Sequence, residues 1–214
     1  MSIYRSEALT LRTYPYSESH KIVFFLTRDF GKVRGISYRA ESTAARFGSN
    51  LEPLTHLVVT FSRKEHQDLA VIQNCETLKA AFAVEGMTLE TSLYFSYFAE
   101  LLNEFSKEEE ESDKLFRLSL AVLKVGGKIS AELLARYFEL WILQLEGILP
   151  EFKGRLPDNL AVKSQRIMKL PPAELSSINL SIEEAQKLDS LCGDLIEYHL
   201  EKQLKARKLL KQLL

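Results

Sequence analysis

The sequence predicts an α+β protein in two parts, a small barrel of five strands over residues 1–79 followed by an all-helical region over residues 80–214. Three observations carry this expectation. From Ile3 to about Lys79 the apolar residues alternate or fall in short β-rich runs. After Lys79 they recur at helical spacing. Between the strand-like runs, Gly, Pro, Asn and Asp cluster as turn residues do. Five short strands in fewer than 80 residues suit a closed or nearly closed sheet, because closure removes most exposed edges.

In order, the strand-like runs are Glu7 to Arg12, Ile22 to Thr27, Lys32 to Tyr38, His56 to Arg63 and Asp68 to Glu76. Tyr14-Pro15-Tyr16, Asp29-Phe30-Gly31, Gly48-Ser49-Asn50 and the segment Lys64 to Gln67 separate them. Helical spacing begins with Leu89, Leu93, Phe95, Tyr97, Phe98, Leu101 and Leu102 and continues with Leu115, Phe116, Leu118, Leu120, Val122 and Leu123. Gly126-Gly127 breaks it before Ser130, a candidate N-cap, and the next helix runs through Tyr137, Phe138, Trp141 and Leu145 to Gly147, before Pro150. The stretch 151–180, with Pro157, Pro171 and Pro172, reads as an irregular connection. A last helix follows Ser181, with Glu184 at the capping-box position and a break expected near Gly193.

The composition bounds the function classes. In 214 residues, 46% hydrophobic content with one Trp, 12 Phe and 8 Tyr is enough for real cores. The 28 basic and 29 acidic residues leave a net charge of -1, which excludes a general polycation that coats nucleic acid by charge alone. The charge is divided, however: residues 1–79 hold 11 basic against 8 acidic residues, a net +3, and residues 80–214 hold 17 against 21, a net -4. No apolar run approaches the roughly 20 residues of a membrane-spanning helix, and the polar start Met1 to Arg5 lacks a signal peptide's apolar stretch, so no membrane partner is expected and the cytoplasm is the expected compartment. Cys75 and Cys192 lie far apart without a C-x-x-C pair, which signals neither a disulfide framework nor a zinc site. There is no phosphate-binding G-x-x-x-x-G-K loop, no G-x-S-x-G elbow and no zinc-hydrolase pair, so no catalytic residue is assigned and no enzyme is expected.

The residues from Thr27 to Ala40 carry the chemistry. A tight turn at Asp29-Phe30-Gly31 feeds a strand whose period of two puts Lys32, Arg34, Ile36 and Tyr38 on one face. Val33, Gly35 and Ser37 on the other are small enough for a crowded barrel interior. Two cations and a ring on an outer face suit single-stranded nucleic acid. Cations neutralise phosphates, and stacking on an aromatic stabilises by about 1–3 kcal/mol per base whatever the base. Arg39 and Arg46 in the following polar segment extend the track, and Lys21 and Arg63 are further candidates. The same residues also describe a solvated strand with ordinary surface cations, and spacing alone does not separate the two.

Several ordered blocks resemble the RecO family of bacterial recombination mediators. They are Glu7-Ala8-Leu9-Thr10-Leu11-Arg12, Tyr16-Ser17-Glu18-Ser19-His20-Lys21-Ile22, the Thr27 to Ala40 segment, and Arg46-Phe47-Gly48-Ser49-Asn50-Leu51-Glu52-Pro53-Leu54. Tyr94 to Leu102, Arg136 to Leu140 with Gly147-Ile148-Leu149-Pro150, and His199 to Leu210 continue the likeness over nearly the whole chain. The resemblance implies an N-terminal OB-fold and a helical C-terminal domain. It implies binding of single- and double-stranded DNA, annealing of complementary strands, and action with RecR to load RecA onto DNA coated by single-strand-binding protein, whose acidic tail is a further partner; such a protein works at the nucleoid. Many family members carry a four-cysteine zinc module after the Gly-x-x-Pro helix end, whereas 151–180 contains neither Cys nor His, so no metal and no cofactor are expected.

Other features read more plainly. His20, His56, His66 and His199 are scattered and suggest no ligand set. The acidic run Glu108 to Asp113 reads as a solvated loop, and the aromatic residues from Tyr94 to Phe105, with Trp141, as helix core. The cation-rich C-terminal helix, with Lys202, Lys205, Arg207, Lys208 and Lys211, is of the kind that docks an acidic peptide or touches DNA; docking of an acidic peptide and favourable placement of cations at a helix C-terminus read equally well. Two alternatives to a DNA-binding mediator stay open on the residues: an OB-fold protein preferring RNA, and a protein adaptor whose basic strand is merely solvated.

Overall fold

The computed structural model of the chain describes residues 2–18, 20–38, 51–64, 69–80, 83 and 85–213. Five strands, β1 (Ser2–Pro15), β2 (Lys21–Thr27), β3 (Gly31–Ser37), β4 (His56–Arg63) and β5 (Ala70–Lys79), form a closed barrel in the order β1-β2-β3-β5-β4. That order is an OB-fold, as the family resemblance implies. All pairings are antiparallel except the short parallel one that joins Gly35 and Ile36 of β3 to Ala70 and Val71 of β5.

The first strand is longer than its alternating run, because it serves two neighbours. Its start, Ser2 to Leu9, pairs with β4, and its end, Ala8 to Pro15, pairs with β2. A register shift between Thr10 and Arg12 supplies the bend that lets one strand turn from one neighbour to the other. The barrel is filled from every strand, with Ala8, Val23, Phe25, Val33, Leu57, Val59, Phe61, Ala70, Ile72 and Cys75 buried together. Gly35 leaves room here for the Ile72 side chain, which would have to shift to admit any Cβ. Burial pushes the Cys75 thiol up to about 12, which leaves it an inert part of the packing.

Among the described residues six α-helices follow: α1 (Leu89–Phe105), α2 (Asp113–Val125), α3 (Ala131–Leu145), α4 (Asp158–Lys169), α5 (Ile182–Leu200) and α6 (Lys205–Leu213), with a 3₁₀ helix at Pro172–Ser177. The chain divides into two compact units. One joins Met1–Val84 to Ala99–Arg117, and the other joins Glu85–Phe98 to Leu118–Leu214.

The helical unit is built on α3, which packs against α4, the 3₁₀ helix and α5. Phe98 meets Phe138 with ring centroids 4.7 Å apart. The stretch 151–180, expected to be irregular, instead holds α4 and the 3₁₀ helix. Leu160, Ser164 and Ile167 of α4 are buried at helical spacing, a stripe too narrow to stand out among polar neighbours and prolines. Ser130 does precede α3, but its hydroxyl makes no capping bond. Ser181 and Glu184 form the reciprocal capping box.

The break expected at Gly193 does not occur there; α5 runs on to Leu200 and ends at Glu201, with φ 53°. Gly193 lies under the Arg207 guanidinium, which would collide with any side chain at that position. Arg207 is accordingly not part of a solvated cationic face: it is 3% exposed and enters a buried ionic cluster. Glu139, fully buried, accepts from the Tyr97 hydroxyl at 2.6 Å and from Arg207 Nη1 at 3.2 Å, and pairs with Arg136 Nε at 3.1 Å. Asp189 closes the cluster on both guanidiniums, at 2.9 Å from Arg207 Nη2. Burial raises the Glu139 carboxyl, with the two guanidiniums pulling it back. At Asp189, burial also opposes charge, but Arg136 and Arg207 outweigh it and hold the carboxyl below its ordinary value. Trp141, expected in the core, is only half-buried.

Candidate nucleic-acid interface

The site is built from the β1–β2–β3 side of the barrel. The turn after β2 is held by the buried Thr27 hydroxyl, which donates to the Gly31 carbonyl at 2.7 Å and accepts from the Phe30 amide at 3.1 Å. Gly31 adopts φ 63°, a left-handed conformation that glycine enters without steric cost. β3 leaves this turn with its alternation set: Val33, Gly35 and Ser37 are buried, Lys32 and Arg34 are half-buried, and Tyr38 beyond the strand end is 51% exposed. Ile36 departs from the expectation, being buried as well.

Register assembles a surface that no single strand displays. Arg12 pairs with Phe24, and Phe24 with Arg34, so a cation, a ring and a cation stand in one row across three strands. In the next row Tyr14, Ile22 and Ile36 are aligned in the same way. The rows interlock, with the Arg12 guanidinium 4.1 Å from the Tyr14 ring centroid and Tyr14 meeting Phe24 edge-on at 5.8 Å. Arg12, Tyr14 and Phe24 join the surface without having been candidates. The signal that would have found them is cross-strand pairing, which no pattern within one strand supplies.

Tyr38 meets the His20 ring edge-on at 5.0 Å, and Lys21 opens β2 beside it, paired with Ser37. Arg39 and Arg46 lie outside the described residues. Arg63 stands apart from these rows, at the end of β4. It lines a cavity of about 320 Å³ with Tyr4, Phe30 and Phe61. There Tyr4 stacks on Phe61 at 5.4 Å and meets Phe30 edge-on at 5.2 Å.

The acidic run is not a free loop, as its composition had implied. The Lys32 amide donates to the Lys107 carbonyl at 2.8 Å, and Glu108 makes isolated bridges with Gly31 and Lys32. Arg34 Nε lies 2.7 Å from Glu108 Oε1, and Arg63 Nη1 lies 2.5 Å from Glu109 Oε1. Lys32 Nζ donates to the Asn103 carbonyl at 2.8 Å. Among the described residues, Arg12 and Lys21 pair with no carboxylate, no group of His, Cys, Asp and Glu is arranged to hold a metal, and no helix is long and apolar enough to cross a membrane.

Residues 1–81 match the family model described as recombination protein O N terminal, and residues 87–156 match the one described as recombination protein O C terminal. The chain belongs to the RecO family. It is 38% identical over 149 residues to the DNA repair protein RecO of Koribacter versatilis, covering 69% of this chain and 60% of that protein. Against the RecO of Syntrophus aciditrophicus the identity is 36% over 149 residues, covering 69% and 57%. Against that of a Nocardioides species it is 32% over 155 residues, covering 71% and 62%. The chain thus spans about three-fifths of the length of its RecO relatives. These relatives are named as DNA repair proteins, and both RecO models fall on parts of the chain described above, the first over the barrel.

Proposed function

We propose that this RecO-family chain is a non-enzymatic DNA-binding mediator of recombinational repair. It binds single- and double-stranded DNA, anneals complementary strands, and acts with RecR to load RecA onto DNA covered by single-strand-binding protein. The observation that carries the reading is the row Arg12–Phe24–Arg34 with Tyr14 beside it, on the outer face of an OB-fold. Alternating cations and rings match what a flexible single strand offers, with phosphates at regular spacing and bases whose faces stack without regard to sequence. Lys21 and Tyr38 extend this track at one end, and Lys32 at the other, with Arg39 and Arg46 as further phosphate ligands. Arg63 contributes from the neighbouring cavity. Two strands held at such surfaces pair faster, because capture raises their local concentration.

Annealing of complementary oligonucleotides, bare and coated with single-strand-binding protein, tests the reading without ATP and with chelator present. Wild type is expected to accelerate annealing, and Arg12→Ala/Arg34→Ala to lose most of that acceleration; each lost phosphate contact also lowers the slope of log affinity on log salt by about 0.7. A matched RNA strand competing as well as DNA would redirect the reading to RNA. Strand binding by neither wild type nor variant at any salt would overturn it.

A further inference from the structure

The cations that would receive phosphates at the lower end of the β3 face are occupied by carboxylates of the same chain. Glu108 holds Arg34 at 2.7 Å and Glu109 holds Arg63 at 2.5 Å. Both are close ion pairs; Arg63 Nη1 donates to Glu109 Oε1 at 2.5 Å, whereas Arg34 hydrogen-bonds Glu108 only through Nη2, at 3.3 Å, and a guanidinium makes contacts of the same charge-assisted kind to a phosphate oxygen. Two consecutive acidic side chains thus reach two cations on different strands, β3 and β4, as successive phosphates of one strand would. The segment is seated by its backbone as well, through the Lys32 amide on the Lys107 carbonyl and the bridges of Glu108 with Gly31 and Lys32. Gly31 is shaped for that seat: a Cβ there would collide with the Glu110 and Lys107 carbonyls. Glu109 also stands at the cavity of about 320 Å³ lined by Tyr4, Phe30, Phe61, Val33, Arg63 and the carboxylate Asp29, three aromatic rings beside one cation and two acids.

We infer that the segment Lys107–Glu110 is a displaceable stand-in for the DNA backbone, one that covers part of the barrel's nucleic-acid surface and must be expelled before a strand can occupy Arg34, Arg63 and the cavity between them. The inference rests on the DNA-binding reading above and adds an autoinhibitory contact to it. The energetics allow displacement. The two ion pairs are partly exposed, with Arg34 and Glu108 each 36% and Glu109 75% accessible at the side chain, so each contributes little stability and is screened by salt. A polynucleotide presents more charges than the two it replaces, and it releases counterions on binding, which the tethered segment does not. The cover therefore weakens binding and narrows it to ligands with enough consecutive charge.

The test is the affinity of the full chain for a labelled single-stranded thymidine oligonucleotide at low and moderate salt. Glu108→Gln/Glu109→Gln keeps the shape of the segment and removes its charges. Glu110→Gln/Glu111→Gln changes the net charge equally but alters residues that pair with neither Arg34 nor Arg63 among the described residues. The expected result is a gain on the order of tenfold for the first pair, clearly larger than for the second and shrinking as salt rises. In the first variant the Lys32 amide should also exchange its hydrogen faster, since the segment that accepts from it is loosened. Equal gains in both variants would reduce the effect to general charge and overturn the inference. No gain in either, while wild type binds and Arg34→Ala weakens it, would overturn the inference and leave the DNA-binding reading standing. No binding by any of the proteins at any salt would remove both.

Discussion

Asp189 shows how one side chain ties the helical unit to pH. Half-buried between Arg136 and Arg207, it has a folded-state carboxyl below its ordinary value of 3.8, because the two guanidiniums outweigh the cost of partial burial. A carboxyl lowered on folding adds stability that is fully present above its unfolded value and is lost as pH falls through its folded value. Urea unfolding of wild type and Asp189→Asn should therefore differ by a constant amount from about pH 7 to about pH 5, and the difference should shrink below about pH 4. A difference that stays constant to acid pH would mean that the carboxylate charge is not what the cluster uses. Legibility at this scale was uneven. The alternation that sets Lys32 and Arg34 against buried Val33, Gly35 and Ser37 is legible because it depends only on a strand's own sequence, though Ile36 breaks it. Arg12, Tyr14 and Phe24 are not legible in this way, since their neighbours on the surface come from other strands. Arg207 looked like one more surface cation because its partners Glu139 and Asp189 are far away in sequence.

Among the elements, β3 is the most constrained. It must pair with β2 along its whole length, meet β5 at Gly35 and Ile36, and leave Arg34 outward. Gly35→Val tests this directly: the new side chain has to displace Ile72, and overpacking of that kind costs about 1–3 kcal/mol, read as a lower urea midpoint. An unchanged midpoint would show that the barrel yields at this contact. The elements themselves were visible in proportion to the width of their apolar stripe. All five strands and the helices around Phe98, Phe116 and Phe138 are announced by dense periodic residues. α4 did not, with three buried residues in twelve and flanking prolines that read as loop punctuation. The acidic run misled for a related reason. Its charge pattern is that of a solvated loop, and its order comes from Arg34 and Arg63, which lie 74 and 46 residues away.

At the scale of the molecule, the change of period near Lys79 does mark where strands give way to helices. It does not mark where one compact unit ends, because Ala99–Arg117 belongs with the strands. Composition cannot reveal such a return, since the returning segment is helical at its start and acidic at its end, like the helical region around it. A polypeptide cut at Lys79 would keep every strand and lose the peptide that accepts from Lys32. The bared amides at the start of β3 would then form an open edge, and exposed edges recruit strands from other chains. Such a fragment is expected to self-associate in sedimentation more strongly than the intact chain. Anyone dissecting this protein by the apparent boundary would thus measure a stickier, more avid barrel and attribute to the fold a property of the cut.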